Sequence, residues 1–548
     1  MKKKYFLIYI LVTTVIFAKI VINNIYTYPQ FDDEPLYLKD AAQGFKLKFK
    51  EGKSLEEIGK KLFFDPNIEM DMPIIMEYIL GTGMYLKYNE DFLRLAEIPI
   101  WDGTLSYDEN IERGVKVSPK ILYFGRHFSL IAGIISYLVL CLILWSIGIK
   151  IGILIVSILF ISNPLFQLGS SFIVTEMFLI LFSCLGVLSI FEFYNGFVSN
   201  NRRSIAFAFL TAVLLTFALL VKFTAAILIS YFLVLLITLH ILNNKFGFLN
   251  KTKILVISLC VYCGTFFFVS YFLHPFIRIY PVTGWLKLIA GQLASMENQG
   301  FNLCKGWDMT VMDRMIVVPH RILYWAKPST NVIKIMYLFL ITGSFMFFGK
   351  LLKRFRKSEL ASKHKNSNKR MRFIGIWVLI VGLLIIFLNY DWGKYYPVSF
   401  KKSYLFDVSE ERTGMWLKIW DSNKKYPNDD FRNYEGDTNS KPVNLPNKKF
   451  YWPIPFAKLS NALYLFVIVL NIIFLIGIIK GLKSFKFLGN DKKLGKLFII
   501  TSLWIYTCIL QIIAQHSDQT RYYLVGIYLY YIIVGIGISE LEKIYRKL

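Results

Sequence analysis

Apolar residues run along this chain in long blocks, not in alternating or evenly spaced stripes. A helix needs about 17–25 mostly apolar residues to cross a bilayer. Runs of that order recur at 5–27, 127–147, 151–168, 173–193, 204–221, 223–242, 254–273, 333–349, 373–390, 459–479, 497–514 and 521–539. Three long polar stretches interrupt them, at 28–125, 273–332 and 391–458. Within the first stretch, Ser54 to Phe64 and Met76 to Leu86 space their apolar residues as amphipathic helices do, which suits helices lying along a membrane surface. The pattern predicts an all-α polytopic membrane protein, 1–548 forming one membrane domain of about 12 transmembrane helices, with amphipathic helices in its long loops.

Composition agrees. Of 548 residues, 55% are hydrophobic, 17% aromatic and 18% charged, against roughly 25% charged in soluble domains. These values exclude a disordered chain, a disulfide scaffold and most soluble enzymes. Cys141, Cys184, Cys260, Cys263 and Cys508 sit in apolar runs and only Cys304 in a loop. The Cys260-x-x-Cys263 pair has no second pair, so ordinary packing is the expectation. No short-period internal repeat is visible, which disfavours an inverted-repeat transporter.

The net charge of +26 raises the question of a nucleic-acid partner, and its distribution answers it. Lys2, Lys3 and Lys4 precede the first apolar run and set the N-terminus in the cytoplasm. That run is expected to be an uncleaved span, because it is long and Ala18-Lys19-Ile20 is a poor cleavage site. Alternation then gives the cytoplasmic connections 28 Lys or Arg, while the three long loops together hold 30 basic and 30 acidic residues. This is the positive-inside pattern. It requires no nucleic acid, makes 353–372 a topogenic loop with anionic-lipid contact secondary, and puts the long loops outside. Both termini are expected in the cytoplasm, and the membrane to be a bacterial plasma membrane.

Chemistry-bearing residues gather on the predicted outer side. Asp32, Asp33 and Glu34 follow the first span in Tyr28-Pro29-Gln30-Phe31-Asp32-Asp33-Glu34-Pro35-Leu36-Tyr37. Adjacent carboxylates repel, which favours a raised pKa or a cationic partner, and one of them is placed to take a proton from an acceptor. The same residues suit an acidic helix start with Pro35 in the first turn. Glu176 opens the fourth span, where a helix N-terminus favours a carboxylate. Lys222 stands between two apolar runs with almost no loop, where a cation faces protein or water, or snorkels. Arg126 opens the second span, and Arg521 with Tyr522 opens the last. Cations at one face suit a leaving phosphate, and a carboxylate there suits activation of an acceptor. His274 and His320 share that side without a zinc-like spacing, so a divalent metal stays open. No Walker A, G-x-G-x-x-G or G-x-S-x-G element is present.

Taken in order, these motifs resemble the C-type superfamily of polytopic glycosyltransferases, nearest its protein O-mannosyltransferase and lipid A aminoarabinose transferase branch. The residues that carry the likeness are Asp33-Glu34-Pro35 after the first span and Arg126 to Ser129 opening the second. Asn163-Pro164 closes the third span, Thr175-Glu176 opens the fourth, and Lys222-Phe223-Thr224-Ala225 and Arg521-Tyr522-Tyr523 follow. The resemblance implies a glycosyl group moved from a polyprenyl-phosphate donor to a glycan, lipid or protein acceptor at the outer face. It implies Asp33 as catalytic carboxylate with Glu34 beside it, Lys222 and Arg521 on the donor phosphate, and Arg126, Glu176, Asp32 and Tyr522 in support. The family usually carries Asp where Glu176 stands, and the extra Asp32 shifts the acidic pair by up to one position. Two rival readings are a lipid-linked oligosaccharide flippase or other transporter, with charges strung through the membrane, and a polysaccharide polymerase or ligase working from 391–458.

Overall fold

Apolar segments in lipid must satisfy every backbone donor and acceptor internally, which leaves helices as their natural form. The computed structural model describes residues 3–27, 30, 33–54, 57, 74–99, 107–245, 249–281, 283–285, 322, 461–514 and 524–547, and these contain helices and turns without strands. In chain order the main helices are α1 Lys3–Thr27, α2 Asp33–Phe45, α3 Ile74–Tyr88, α4 Pro119–Ser146, α5 Lys150–Ile161, α6 Pro164–Ser171 and α7 Thr175–Val198. They continue as α8 Arg203–Val221, α9 Ala226–Lys245, α10 Leu249–Leu273, α11 Asn461–Lys483, α12 Lys492–Ala514 and α13 Leu524–Lys547. Among the described residues, eight helices are long and apolar enough to cross a membrane, or nine if α5 and α6 form one bent span. The protein is an all-α polytopic membrane protein. The predicted segments 333–349 and 373–390 lie outside the described residues, as do the loop 391–458 and most of Ser54 to Phe64.

Two helices depart instructively from the apolar pattern. The second span starts at Pro119, eight residues before its apolar run, because Pro at the first helical position costs no hydrogen bond and presets φ. At 28 residues and about 1.5 Å per residue, α4 outreaches a hydrocarbon core of about 30 Å. Its first turns therefore stand in the loop region. The third span is broken: α5 and α6 meet at 59°. Pro164 cannot donate a backbone hydrogen bond, and Asn163 repairs the break. Its Oδ1 accepts from the N–H groups of Leu165 and Phe166, at 2.9 and 3.3 Å, and its Nδ2 donates to Tyr531 Oη at 2.8 Å. Asn163→Ala is expected to cost about 2 kcal/mol, a lost cap plus a lost cross-helix bond. Tyr531→Phe should cost about half of that. Thermal unfolding midpoints of the two purified variants check the ranking.

Helix contacts follow the membrane rule that small residues admit close approach. A Cβ on Gly477 would meet Ile533 O at 2.2 Å, and one on Gly537 would meet Ile473 O at 2.0 Å, so α11 and α13 touch backbone to backbone. Apolar side chains such as Leu7, Leu11 and Val15 of α1 stay exposed, as a lipid-facing surface requires. Helices α2 and α3 cap one end of the bundle. Their apolar residues Leu38, Ala41, Met76 and Leu80 share a buried cluster with Ile173 and Phe178 at the start of α7 and Leu219 and Leu220 at the end of α8. The stretch Met76 to Leu86 thus lays its apolar face on protein.

Candidate active site

The capped end of the bundle gathers the residues that the sequence singled out. Asp33 is the first residue of α2, with Pro35 in the first turn, so the acidic cluster does open a helix. The side chain of Asp33 lies outside the described set, and so do Asp32, Arg521, Tyr522 and His320.

Glu34 and Arg126 form a fully buried ion pair, both side chains at 0% exposure. The guanidinium donates from Nε to Oε1 at 2.8 Å and from Nη2 to Oε2 at 2.7 Å. This fork-to-fork geometry is the strongest arrangement available to the two groups. Nη1 donates to the Ile25 carbonyl at 2.8 Å, an acceptor in the last turn of α1 that the helix leaves unsatisfied. Glu34 Oε1 also accepts the Ile173 N–H at 2.9 Å, and the Phe172 ring lies 5.0 Å from the guanidinium carbon. One ion pair thus ties together α1, α2, α4 and the strand-like link before α7. Close approach is needed for this, and Gly125 provides it: a Cβ there would meet Ile173 Cδ1 at 2.5 Å and Met84 Cε at 2.7 Å. Arg126 is no interfacial anchor, because its charge is spent inside the protein.

Gln30 makes a second tie that the sequence reading did not single out. Its Nε2 donates to the Val115 carbonyl at 2.9 Å and its Oε1 accepts from the Val117 N–H at 2.9 Å. The short link between α1 and α2 is thereby clamped to the chain entering α4. A glutamine amide can serve any extended segment in this way, and nothing in its spacing announces it.

Lys222 is the single residue between the end of α8 and a short 3₁₀ turn at Phe223–Ala225. Its extended backbone, φ −159° and ψ 133°, turns the chain back at once. Its ammonium donates to Glu176 Oε1 at 2.8 Å, with side chains 10% and 2% exposed. Thr175 Oγ1 donates to Glu176 Oε2 at 3.2 Å. Glu176 lies in the first turn of α7, three residues from the Ile173 N–H that binds Glu34. Snorkelling toward water is therefore not what Lys222 does; it pairs inward.

Glu34, Arg126, Glu176 and Lys222, drawn from four separate segments, thus form two buried ion pairs, and the start of α2 is tied to the first of them through Glu34. His274 follows α10 directly and is buried; burial pushes its imidazole down to about 3, so it is neutral at ordinary pH. Among the described residues no three His, Cys, Asp or Glu side chains gather as metal ligands. Cys260 and Cys263 lie unbridged in α10.

Residues 97–279 match the model of the family described as dolichyl-phosphate-mannose-protein mannosyltransferase. This is a C-type glycosyltransferase family, in agreement with the resemblance read from the motifs. The matched stretch contains Arg126, Glu176 and Lys222, and stops short of Asp33, Glu34 and Arg521. No curated protein matches the chain. The matched family is one of membrane glycosyltransferases that use a lipid-phosphate sugar donor.

Proposed function

We propose that this chain transfers a glycosyl group from a polyprenyl-phosphate carrier to an acceptor at the outer face of the membrane. The observation that carries the reading is the Glu34–Arg126 pair. It fixes the start of α2, where Asp33 stands, beside the link that leads within three residues to Glu176 and its partner Lys222.

In the proposed step the Asp33 carboxylate takes the proton of an acceptor O–H or N–H. The freed lone pair forms the new bond to C1 of the sugar. The bond from C1 to the phosphate oxygen breaks, its electrons staying on the phosphate. The leaving polyprenyl phosphate gains charge, and Lys222 with Arg521 stabilises it. Glu34 acts through Arg126 as a positioning carboxylate, since two guanidinium bonds and a backbone N–H occupy it. Glu176 holds Lys222 in place at a distance that an incoming phosphate can compete for. A transporter would carry charges through the membrane middle. Among the described residues the buried ionisable side chains Glu34, Glu77, Arg126, Glu176 and Lys222 instead crowd one end of the bundle, with Lys496 near the opposite end in the first turns of α12, which favours the transferase.

The test uses purified protein in proteoliposomes with synthetic polyprenyl-phosphate sugars. Lys222→Met combined with Glu176→Gln removes both charges and leaves neither partner stranded. The expected result is a rise of about tenfold or more in donor KM, as befits loss of a charge-assisted contact, with folding retained. An unchanged donor KM, or transfer from nucleotide sugars, would overturn the reading.

A further inference from the structure

The first two turns of α12, at the end of the bundle away from the cap, carry positive charge where a helix is least suited to it. A helix N-terminus is already the positive end of the helix dipole, and acids are the residues that stabilise it. The first turn of α12 holds no acid, and Lys492, Lys493 and Lys496 stand in these two turns. Spacings of three and four residues put Lys496 on one face with the other two, and like charges so placed repel.

The cluster is held firmly. Near the far end of α7, Tyr194 Oη accepts the Gly489 N–H at 2.8 Å and donates to the Asp491 carbonyl at 3.2 Å, which fixes the turn leading into α12. A Cβ on Gly148, the left-handed residue (φ +78°) that follows α4, would meet Lys493 Nζ at 2.7 Å, so that ammonium lies against the α4–α5 turn. Lys496 is 4% exposed, and its ammonium stands 5.4 Å from the centre of the Phe191 ring on α7. Among the described residues Lys496 makes no hydrogen bond or ion pair through its side chain. The acids that flank the cluster serve other donors. Asp491 Oδ1 accepts the Leu494 N–H at 2.7 Å, and Glu192 Oε1 accepts from Asn195 Nδ2 at 3.0 Å. A ring face offsets part of the cost of burying an ammonium, and an anion offsets far more.

We propose that Lys492, Lys493 and Lys496 form a phosphate-binding site bounded by α12, the end of α7 and the α4–α5 turn. One phosphate there relieves the repulsion among the lysines, complements the helix dipole and gives Lys496 a hydrogen-bonded partner. The spanning segment of α12 begins at Lys492, which sets the cluster at the hydrocarbon boundary, next to the headgroup layer. A phospholipid headgroup and a free phosphate present the same oxygens, and the test separates them. The site lies at the other end of the bundle from the residues assigned to glycosyl transfer and does not depend on that reading.

Full-length protein in neutral detergent is titrated with phosphatidylglycerol, with phosphatidylcholine and with inorganic phosphate. Native mass spectrometry and thermal midpoints read the binding. Wild type is expected to bind phosphatidylglycerol or inorganic phosphate about tenfold or more tightly than phosphatidylcholine, and the tighter of the two names the source. Lys496→Gln is expected to weaken that binding about tenfold. Lys492→Gln combined with Lys493→Gln, at two exposed positions, should weaken it as much, and it carries the test if Lys496→Gln does not fold. Lys486→Gln should leave binding unchanged: its neighbour Phe485 packs on Phe498 with ring centres 5.0 Å apart, about 200° round α12 from Lys496. Failure of wild type to bind either phosphate ligand overturns the site. So does an equal loss in Lys486→Gln, which would reduce the effect to the general positive charge of this end.

Discussion

Arg126→Met is expected to destabilise the protein by about 3–5 kcal/mol, the usual cost of stranding a buried charge. Glu34 would keep the Ile173 N–H and lose both guanidinium bonds, inside a site with 0% exposure. The Ile25 carbonyl would lose its donor as well. Glu34→Met should cost a similar amount by stranding the guanidinium. Combining the two should cost clearly less than their sum, because a well-packed apolar pair is often tolerated where half a pair is not. Thermal midpoints of the three variants in one detergent close the cycle. Strict additivity would show that the pair carries no coupling.

Asp33→Asn should lower the transfer rate by about 10²–10⁴, the range for removing a general base, while leaving the fold intact. The amide keeps the shape of the side chain and gives up only a charge at the start of α2, worth roughly 0.3–1 kcal/mol to the helix. The loss belongs in kcat, with donor KM nearly unchanged, since Asp33 is assigned to the acceptor's proton and not to the phosphate. An ionised base also gives the profile an acid limb, with activity rising as pH rises through the base's titration, and Asn should erase it. Wild-type kcat at normal expression would remove Asp33 from the mechanism.

Much of this arrangement was legible in the sequence, and the part that was not has a physical reason. Hydropathy finds spans because lipid tolerates few alternatives, and it located α1 and α7 through α12 to within a few residues, while α4 begins well before its apolar run and α13 ends well beyond it. It does not see backbone hydrogen bonding, so the bend at Asn163-Pro164 and the early start of α4 at Pro119 came only with the structure. Arg126, Glu176 and Lys222 stood out as charges at the ends of apolar runs. Their pairing did not, because Glu34 and Arg126 are 92 residues apart and helix rotation, not spacing, decides which side chains meet. Glu77 did leave a signal. It heads an i, i+3, i+4, i+7 stripe with Leu80, Gly81 and Met84, all buried on one face of α3, and an acid in such a stripe has to shed its charge or find a partner.

The reversal of the chain at Lys222 has a consequence for how this architecture tolerates change in length. One extended residue and a single 3₁₀ turn join α8 to α9, so there is no slack to absorb an insertion. An added residue would swing α9 by about 100° and shift it about 1.5 Å, tearing its contacts away from the bundle. A scan of inserted residues should find 221–226 forbidding, and any sister protein that varies in size should keep this stretch at constant length.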